Sequence, residues 1–212
     1  MLNGKPFYFG GNNAYFLMQA KALGYQNAVL QQLDRSNEIG IRVIRTWAFA
    51  DGPADPGSVT LQSSAGIYDE NTFKALDYVI AEAGKRNIKL ILPFVNANKE
   101  YGSIATYVGW AGKTGEKTLF YTDPDVRQLF KNHISVMLNR VNTYNGIKYK
   151  DDPAIMAWEI VNEARFVYAD RTVLRDFYRD IAKYIKSIDS KHLVTTGEEG
   201  FDGSPYNSKY ST

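Results

Sequence analysis

The stretch AIMAWEIVN, residues 154–162, is an apolar run that turns polar at its end, and Glu163 follows it directly. A short run that is apolar almost throughout is typical of a strand buried on both faces, and such strands belong to parallel sheets. In α/β proteins, ligands bind outside the carboxyl ends of these strands. The stretch therefore predicts a parallel sheet with Asn162 and Glu163 at the edge that carries function.

Strand-like and helix-like segments alternate along the whole chain. The predicted strands are 7–13, 41–49, 88–96, 154–162 and 192–197, and the predicted helices are 26–40, 71–87, 123–144 and 171–187. Apolar residues in the third helix recur at helical spacing, and Asp123-Pro124 is typical of an N-cap followed by proline at the first helical position. This alternation predicts a parallel sheet covered by helices.

Five strands and four helices fit a doubly wound sheet, and they also fit part of a (β/α)8 TIM barrel, which typically takes about 250 residues. Polar residues follow each strand, and the segments 50–70 and 97–122 are long, as rim loops of a barrel often are. These features favour the barrel. We expect residues 1–212 to be the N-terminal portion of a single (β/α)8 domain, with about the first five units present and the C-terminal units absent.

Composition and charge argue against several other classes of protein. The 25 basic and 23 acidic residues are interspersed, so there is no basic stripe for nucleic acid. There is no cysteine, the two histidines (His133 and His192) lack metal-ligand spacing, and no apolar run is long enough to span a membrane. No Gly-x-Gly-x-x-Gly or Walker loop follows any strand. We therefore expect no metal, no cofactor, no nucleic acid and no membrane.

Alternation along the strands brings several polar side chains together. Glu159 and Glu163 share one face of the fourth predicted strand, and Arg45 and Trp47 share one face of the second. Arg45 and Glu163 would then both face the mouth of a barrel. A carboxyl group there can act as a general acid or, once deprotonated, as a base. Glycoside cleavage needs two such groups, about 5–5.5 Å apart for retention and about 6.5–9.5 Å apart for inversion.

Each of these residues also has a purely structural interpretation. The Asn162-Glu163 pair could cap the following helix. Arg45 could form a structural ion pair with Glu159, and Trp47 could belong to the core. The spacing alone leaves these alternatives open.

The string WEIVNEARF (158–166) is similar to the Trp-Glu-x-x-Asn-Glu-Pro segment of glycoside hydrolase family 5, which belongs to a clan of retaining (β/α)8 hydrolases. The run from 119 to 165 narrows the resemblance to the endo-β-1,4-mannanases of that family. IRVIRTWAFADG, ILPFVNANKEYGS and LVTTGEEGF resemble their second, third and fifth strands. The resemblance covers essentially the whole chain and implies a secreted enzyme without a cofactor.

The resemblance implies a role for each matching residue. Glu163 would be the acid/base, Asn162 would contact the sugar 2-hydroxyl, and Arg45 would hold the nucleophile. The residues that would contact substrate or shape the cleft are Glu199, Glu198, Trp47, Asn13 and Asn96.

This chain departs from the family pattern at two positions. The proline that usually follows Asn-Glu is Ala164, and the usual Asn-Asn-Trp after the third strand is Asn96-Ala97-Asn98. In addition, the resemblance assigns the nucleophile to a glutamate at the end of a seventh strand, outside this chain.

The sequence thus predicts part of a retaining glycosidase that cleaves internal β-1,4 bonds of β-mannan or manno-oligosaccharides. One alternative is another β-glucan endohydrolase of the same clan. A second is an inactive barrel fragment that only binds carbohydrate or assembles with a complementary fragment. Because an open five-stranded piece leaves unpaired edges, we expect it to associate with a complementary C-terminal segment or with itself.

Overall fold

The computed structural model describes residues 4–54, 56–164 and 171–199. Its main sheet consists of the strands β1 (Gly10–Asn13), β2 (Ile41–Arg45), β3 (Lys89–Pro93), β4 (Ile155–Glu159) and β5 (Leu193–Thr195). Each strand pairs in parallel with its predecessor in the chain. A doubly wound sheet reverses its strand order at a switch point, whereas a barrel keeps consecutive strands adjacent. The predicted parallel sheet is confirmed, and its order is that of a barrel.

The helices of the described residues are α1 (Leu17–Ala22), α2 (Gln26–Glu38), α3 (Glu70–Lys85), α4 (Ile104–Trp110), α5 (Leu119–Thr122), α6 (Pro124–Asn139) and α7 (Arg171–Ile188). The four predicted helices correspond to α2, α3, α6 and α7. Sequence reasoning missed α1, α4, α5 and a hairpin of Gln62–Ser64 with Ile67–Tyr68. These elements are too short to show a clear periodicity.

The start of α6 shows how the sequence fixes a helix boundary. The Asp123 carboxylate accepts hydrogen bonds from the backbone N–H groups of Asp125 (3.0 Å) and Val126 (3.1 Å), and Pro124 occupies the first turn. A cap of this kind stabilises a helix by about 1 kcal/mol. The N-cap predicted at this position is confirmed.

Trp158 on β4 lies at the centre of the core. Its side chain is fully buried and stacks on Phe94, with ring centroids 5.1 Å apart. The indole Nε1–H donates to the Asp189 carboxylate at 2.7 Å, and Asp189 also contacts His192 Nδ1 at 2.6 Å. This buried network holds the beginning of β5 against β4, and it gives His192 a structural partner.

His133, the other histidine of the chain, lies on the buried side of α6. Its Nδ1 is 3.1 Å from the Tyr68 hydroxyl, and burial lowers the pKa of the imidazole to about 4. The ring is therefore neutral at physiological pH and packs as part of the core.

The two edges of the sheet are β1 and β5, which each have a single strand neighbour among the described residues. Apolar side chains are exposed along both edges. Leu193 on β5 is 62% exposed, and Tyr8 and Phe9, just before β1, are 91% and 47% exposed.

Candidate active site

The last residues of β2 and β4 and the loops that follow β4 and β5 line an open cavity of about 210 Å³ at the carboxyl end of the sheet. The residues that line it are Arg45, Glu159, Asn162, Glu163, Gly197, Glu198 and Glu199. Five of them are residues that the sequence analysis selected for the site. Parallel strands bring their carboxyl ends to one edge, so this convergence follows from the topology of the sheet.

Arg45, the last residue of β2, forms an ion pair with Glu159, the last residue of β4. Its Nε and Nη2 donate to the two carboxylate oxygens at 2.7 and 2.5 Å. The Glu159 side chain is 4% exposed, and that of Arg45 is 23% exposed. The ion pair between Arg45 and Glu159, which the sequence left as an alternative, is present. It fixes the orientation of the guanidinium in the wall of the cavity.

Asn162 connects this pair to the neighbouring loop. Its Oδ1 accepts from Arg45 Nη2 at 2.5 Å, and its Nδ2 donates to Asn96 Oδ1 at 2.7 Å. The side chain of Asn162 is buried, so both ends of its amide are held by the protein. The expected contact between Asn162 and a sugar hydroxyl stays a prediction.

Glu163 has a backbone conformation that strand alternation did not foresee. Its φ of +54° lies in the left-handed region, and its N–H donates to the carbonyl of Gly197 at 2.8 Å. Residues other than glycine, asparagine and aspartate rarely adopt this conformation. The side chain leaves the backbone in a direction set by this turn and reaches the cavity, where its carboxylate accepts from Asn98 Nδ2 at 2.7 Å.

Asn98 and Gly197 belong to the site, although sequence reasoning did not select them. Asn98 stands where the family pattern has tryptophan, and this departure was the available signal. Gly197 has a φ of +76°, and a Cβ there would lie 2.3 Å from the carbonyl oxygen of Val161 and 2.5 Å from the Glu159 carboxylate. Nothing in the sequence distinguished this glycine from an ordinary loop glycine.

The remaining predicted residues lie in different surroundings. Glu198 and Glu199 line the cavity, and burial raises the pKa of the Glu198 carboxyl. Trp47 packs in an aromatic cluster, with its ring centroid 4.7 Å from that of Tyr15 and 4.9 Å from that of Tyr101. Asn13 is exposed at the end of β1, beside Arg45 in the sheet register.

A second cavity of about 570 Å³ lies between the loops that follow β2 and β3. Asp51 is buried at its edge, accepts from Gln62 Nε2 at 3.3 Å, and has no partner for Oδ2 among the described residues. Burial raises the pKa of this carboxyl to about 8. The backbone of Asp51 also donates to the Tyr101 carbonyl at 2.8 Å, which ties the two loops together.

Residues 4–54, 56–164 and 171–199 contain no group of three or more potential ligands that could hold a metal ion. No helix in these ranges is both long and apolar enough to cross a bilayer.

The fold and site together define part of a (β/α)8 barrel that carries a cluster of carboxylates at the carboxyl ends of its strands. A family model described as GH family 5 beta-mannosidase-like matches residues 1–211. The chain belongs to this family.

Two plant proteins are among its curated relatives. Mannan endo-1,4-beta-mannosidase 3 of Arabidopsis thaliana is 43% identical, over 96% of this chain and 50% of the relative. Mannan endo-1,4-beta-mannosidase 1 of Solanum lycopersicum is 44% identical, over 95% of this chain and 51% of the relative. The chain therefore spans about half the length of these curated relatives.

Solved structures of mannanases are also similar to this chain. The endo-1,4-beta-mannanase from Rhizomucor miehei matches with a TM-score of 0.85 and 38% identity, over 96% of this chain and 60% of that structure. The endo-beta-1,4-mannanase from Thermotoga petrophila matches with a TM-score of 0.86 and 34% identity, over 96% of this chain and 46% of that structure.

Proposed function

We propose that residues 1–212 form the N-terminal portion of the catalytic domain of a retaining endo-β-1,4-mannanase, in which Glu163 is the acid/base. The observation that carries this proposal is the position of the Glu163 carboxylate, in a polar cavity at the carboxyl end of the sheet, held by Asn98. The names of the relatives, all mannan endo-1,4-beta-mannosidases in the plant examples, support mannan as the substrate.

The proposed reaction has two steps. In the first, Glu163 gives its proton to the glycosidic oxygen as the bond from that oxygen to C1 breaks, and a carboxylate nucleophile bonds to C1. In the second, Glu163 removes a proton from water while the water oxygen attacks C1 and the nucleophile leaves. The anomeric configuration is retained because C1 is inverted twice.

We assign the nucleophile to a residue outside this chain. Glu159 is the buried carboxylate nearest to the strand ends, but both of its oxygens accept hydrogen bonds from Arg45. Its side chain is only 4% exposed, so neither oxygen is open to attack C1 of a sugar in the cavity. Arg45 also donates to Asn162, so the guanidinium is held in place to support further anionic groups at the mouth of the cavity.

We further propose that the open edges β1 and β5 are covered by a complementary C-terminal barrel segment, or by a second copy of the chain. The unpaired edges and the exposed apolar side chains beside them support this proposal. Because mannan is a polymer that does not cross membranes, the proposed activity also implies a protein that acts outside the cell.

The test is reducing-sugar release from β-mannan, with β-glucan and xylan alongside. The chain is assayed alone and after extension by the C-terminal part of the Rhizomucor miehei endo-1,4-beta-mannanase. We expect mannan hydrolysis in the extended form and none from the chain alone. Glu163→Gln should lower the rate about a hundredfold or more, since general acid catalysis contributes about 10²–10⁴-fold.

The matched control is Glu38→Gln, the same chemical change at an exposed residue of α2. It should leave the rate unchanged. Hydrolysis by the chain alone would overturn the assignment of an external nucleophile and would direct attention to Glu199. Faster hydrolysis of β-glucan than of mannan would favour the alternative substrate. Sugar binding without hydrolysis in the extended form would favour a binding fragment.

A further inference from the structure

Asn98 is the side chain that contacts the Glu163 carboxylate. Its Nδ2 donates to Glu163 Oε2 at 2.7 Å, and among the described residues no other side chain hydrogen-bonds to that carboxylate. Arg45, which lines the same cavity, directs Nε and Nη2 to Glu159 and Asn162 instead. The orientation of the Glu163 side chain therefore depends on Asn98.

The loop that carries Asn98 is fixed to the loop that carries Glu163. The N–H of Ala97 donates to the Asn162 carbonyl at 2.9 Å, and the N–H of Asn162 donates to the Val95 carbonyl at 2.8 Å. The two loops thus continue the β3–β4 pairing beyond the strand ends. The donor of Asn98 is positioned by this pairing before any substrate binds.

The Asn96 side chain fixes Asn98 from the other direction. Its Oδ1 accepts from the Asn98 backbone N–H at 3.2 Å and from Asn162 Nδ2 at 2.7 Å, while its Nδ2 donates to the Glu100 carbonyl at 2.9 Å. The hydrogen bonds run without interruption from Arg45 through Asn162 and Asn96 to Asn98. This network is buried at Asn96 and Asn162, which are 2% and 4% exposed.

An amide donor on one oxygen determines what the other oxygen can do. Asn98 Nδ2 donates to Oε2, and in a protonated carboxyl group the carbonyl oxygen is a better acceptor than the hydroxyl oxygen. When Glu163 is protonated, this contact therefore favours the form in which Oε2 is the carbonyl oxygen and Oε1 carries the acidic hydrogen. That oxygen is the one left to face a glycosidic oxygen in the cavity.

We propose that Asn98 is a positioning residue for Glu163, which holds Oε2 and thereby presents the proton on Oε1 to the leaving group. This inference rests on the proposed function, because it deepens the role given there to Glu163. It concerns a position at which this chain departs from the family pattern, which has tryptophan there.

The kinetic test compares two substrates that differ in their need for a proton. A manno-oligosaccharide has a poor leaving group and needs the acid, whereas an aryl β-mannobioside that releases dinitrophenolate does not. We expect Asn98→Leu to lower kcat about tenfold or more on the oligosaccharide and less than about threefold on the aryl substrate, with KM little changed. Asn98→Ala, which removes the donor without adding a charge, should behave in the same way and serves if the leucine variant does not fold. Asn132→Leu, the same change on the exposed face of α6, is the control.

The second test does not depend on activity. In the forms assayed above, labelled with ¹⁵N-asparagine, the Asn98 side-chain amide signal should shift in Glu163→Gln, because the acceptor of its hydrogen bond is replaced. The signal should stay where it is in Glu38→Gln.

The two tests separate failure of the inference from failure of the proposed function. An active protein in which Asn98→Leu slows both substrates equally, or neither, would overturn the inference. An Asn98 amide signal with the same chemical shift in the unmodified protein and in Glu163→Gln would also overturn the inference. If the unmodified protein hydrolyses neither substrate, the proposed function fails, and the amide signal still decides whether Asn98 holds Glu163.

Discussion

Gly197 lies so close to the Glu159 carboxylate that a Cβ at position 197 would stand 2.5 Å from Glu159 Oε1. This close approach brings the Gly197 carbonyl within 2.8 Å of the Glu163 N–H. Gly197 therefore contacts both acidic residues at the end of β4: Glu159, the last residue of the strand, and Glu163 in the loop that follows it.

Substitution of Gly197 by alanine should be strongly destabilising. The backbone there has a φ of +76°, and the added carbon would also meet the Val161 carbonyl oxygen at 2.3 Å. Backbone strain of about 1–3 kcal/mol and overpacking of about 1–3 kcal/mol should together lower the melting temperature by about 10 °C. Gly146 has a similar φ of +74°, but a Cβ added there would have no atom within 4 Å. Gly146→Ala should therefore lower the melting temperature by only about 3 °C. Equal shifts for the two variants, measured by thermal unfolding, would contradict this account.

Removal of Glu159 should leave Arg45 as a poorly compensated charge. Because the pair is largely buried, we expect Glu159→Gln to lower the free energy of unfolding by about 3 kcal/mol. The double variant Arg45→Met with Glu159→Leu should recover part of this loss, since no lone charge then remains. Urea unfolding of Arg45→Met, Glu159→Leu and the double variant that combines them gives the coupling energy. Strictly additive losses would show that the pair contributes nothing as a unit.

Asp51 predicts a dependence of stability on pH. Burial raises the pKa of its carboxyl from 3.8 to about 8 in the folded protein, so the folded state holds a proton that the unfolded state has lost. Its contribution to stability is complete below pH of about 4 and is lost as the pH rises towards about 8, at a limiting slope of about 1.4 kcal/mol per pH unit.

The variant Asp51→Asn imitates the protonated acid and should remove this dependence. Relative to the unmodified protein, its melting temperature should rise progressively between pH of about 5 and about 8. A difference that stays constant across this range would show that Asp51 ionises normally in the folded state.

The exposed edge strand β5 predicts a site of self-association in the isolated chain. Leu193→Lys adds a charge to this edge, which should weaken association about tenfold, or by about 1.4 kcal/mol. Ile39→Lys, at an aliphatic residue after α2 that is also well exposed, is the control and should have little effect. Sedimentation velocity over a range of concentrations measures both. A chain that remains monomeric throughout would remove self-association from the proposal.

The sequence predicted those parts of the fold that are determined by residues close together in the chain. The run IRVIR (41–45) is rich in β-branched residues, which favour a strand, and Asp123-Pro124 specifies the start of a helix. Short elements within the long connections were missed, because their apolar residues depend on neighbours distant in sequence.

The sequence predicted most of the residues that line the candidate site, but it did not predict the hydrogen bonds between them. Alternation placed Arg45 and Glu163 at one edge, but it could not foresee the left-handed turn at Glu163. That turn depends on a hydrogen bond from Glu163 to Gly197, which lies 34 residues later in the sequence. The Asn98–Glu163 contact likewise joins two loops and leaves no pattern in either one alone.

At position 163 the φ of +54° favours glycine for stability, whereas the proposed reaction requires glutamate. Glycine there would adopt this conformation without the cost of about 1 kcal/mol that a side chain brings. Evolution under selection for a stable fold alone would therefore drift away from glutamate at position 163. A library sorted only for folding should accumulate glycine and asparagine at this residue, whereas one sorted for sugar release should keep the glutamate.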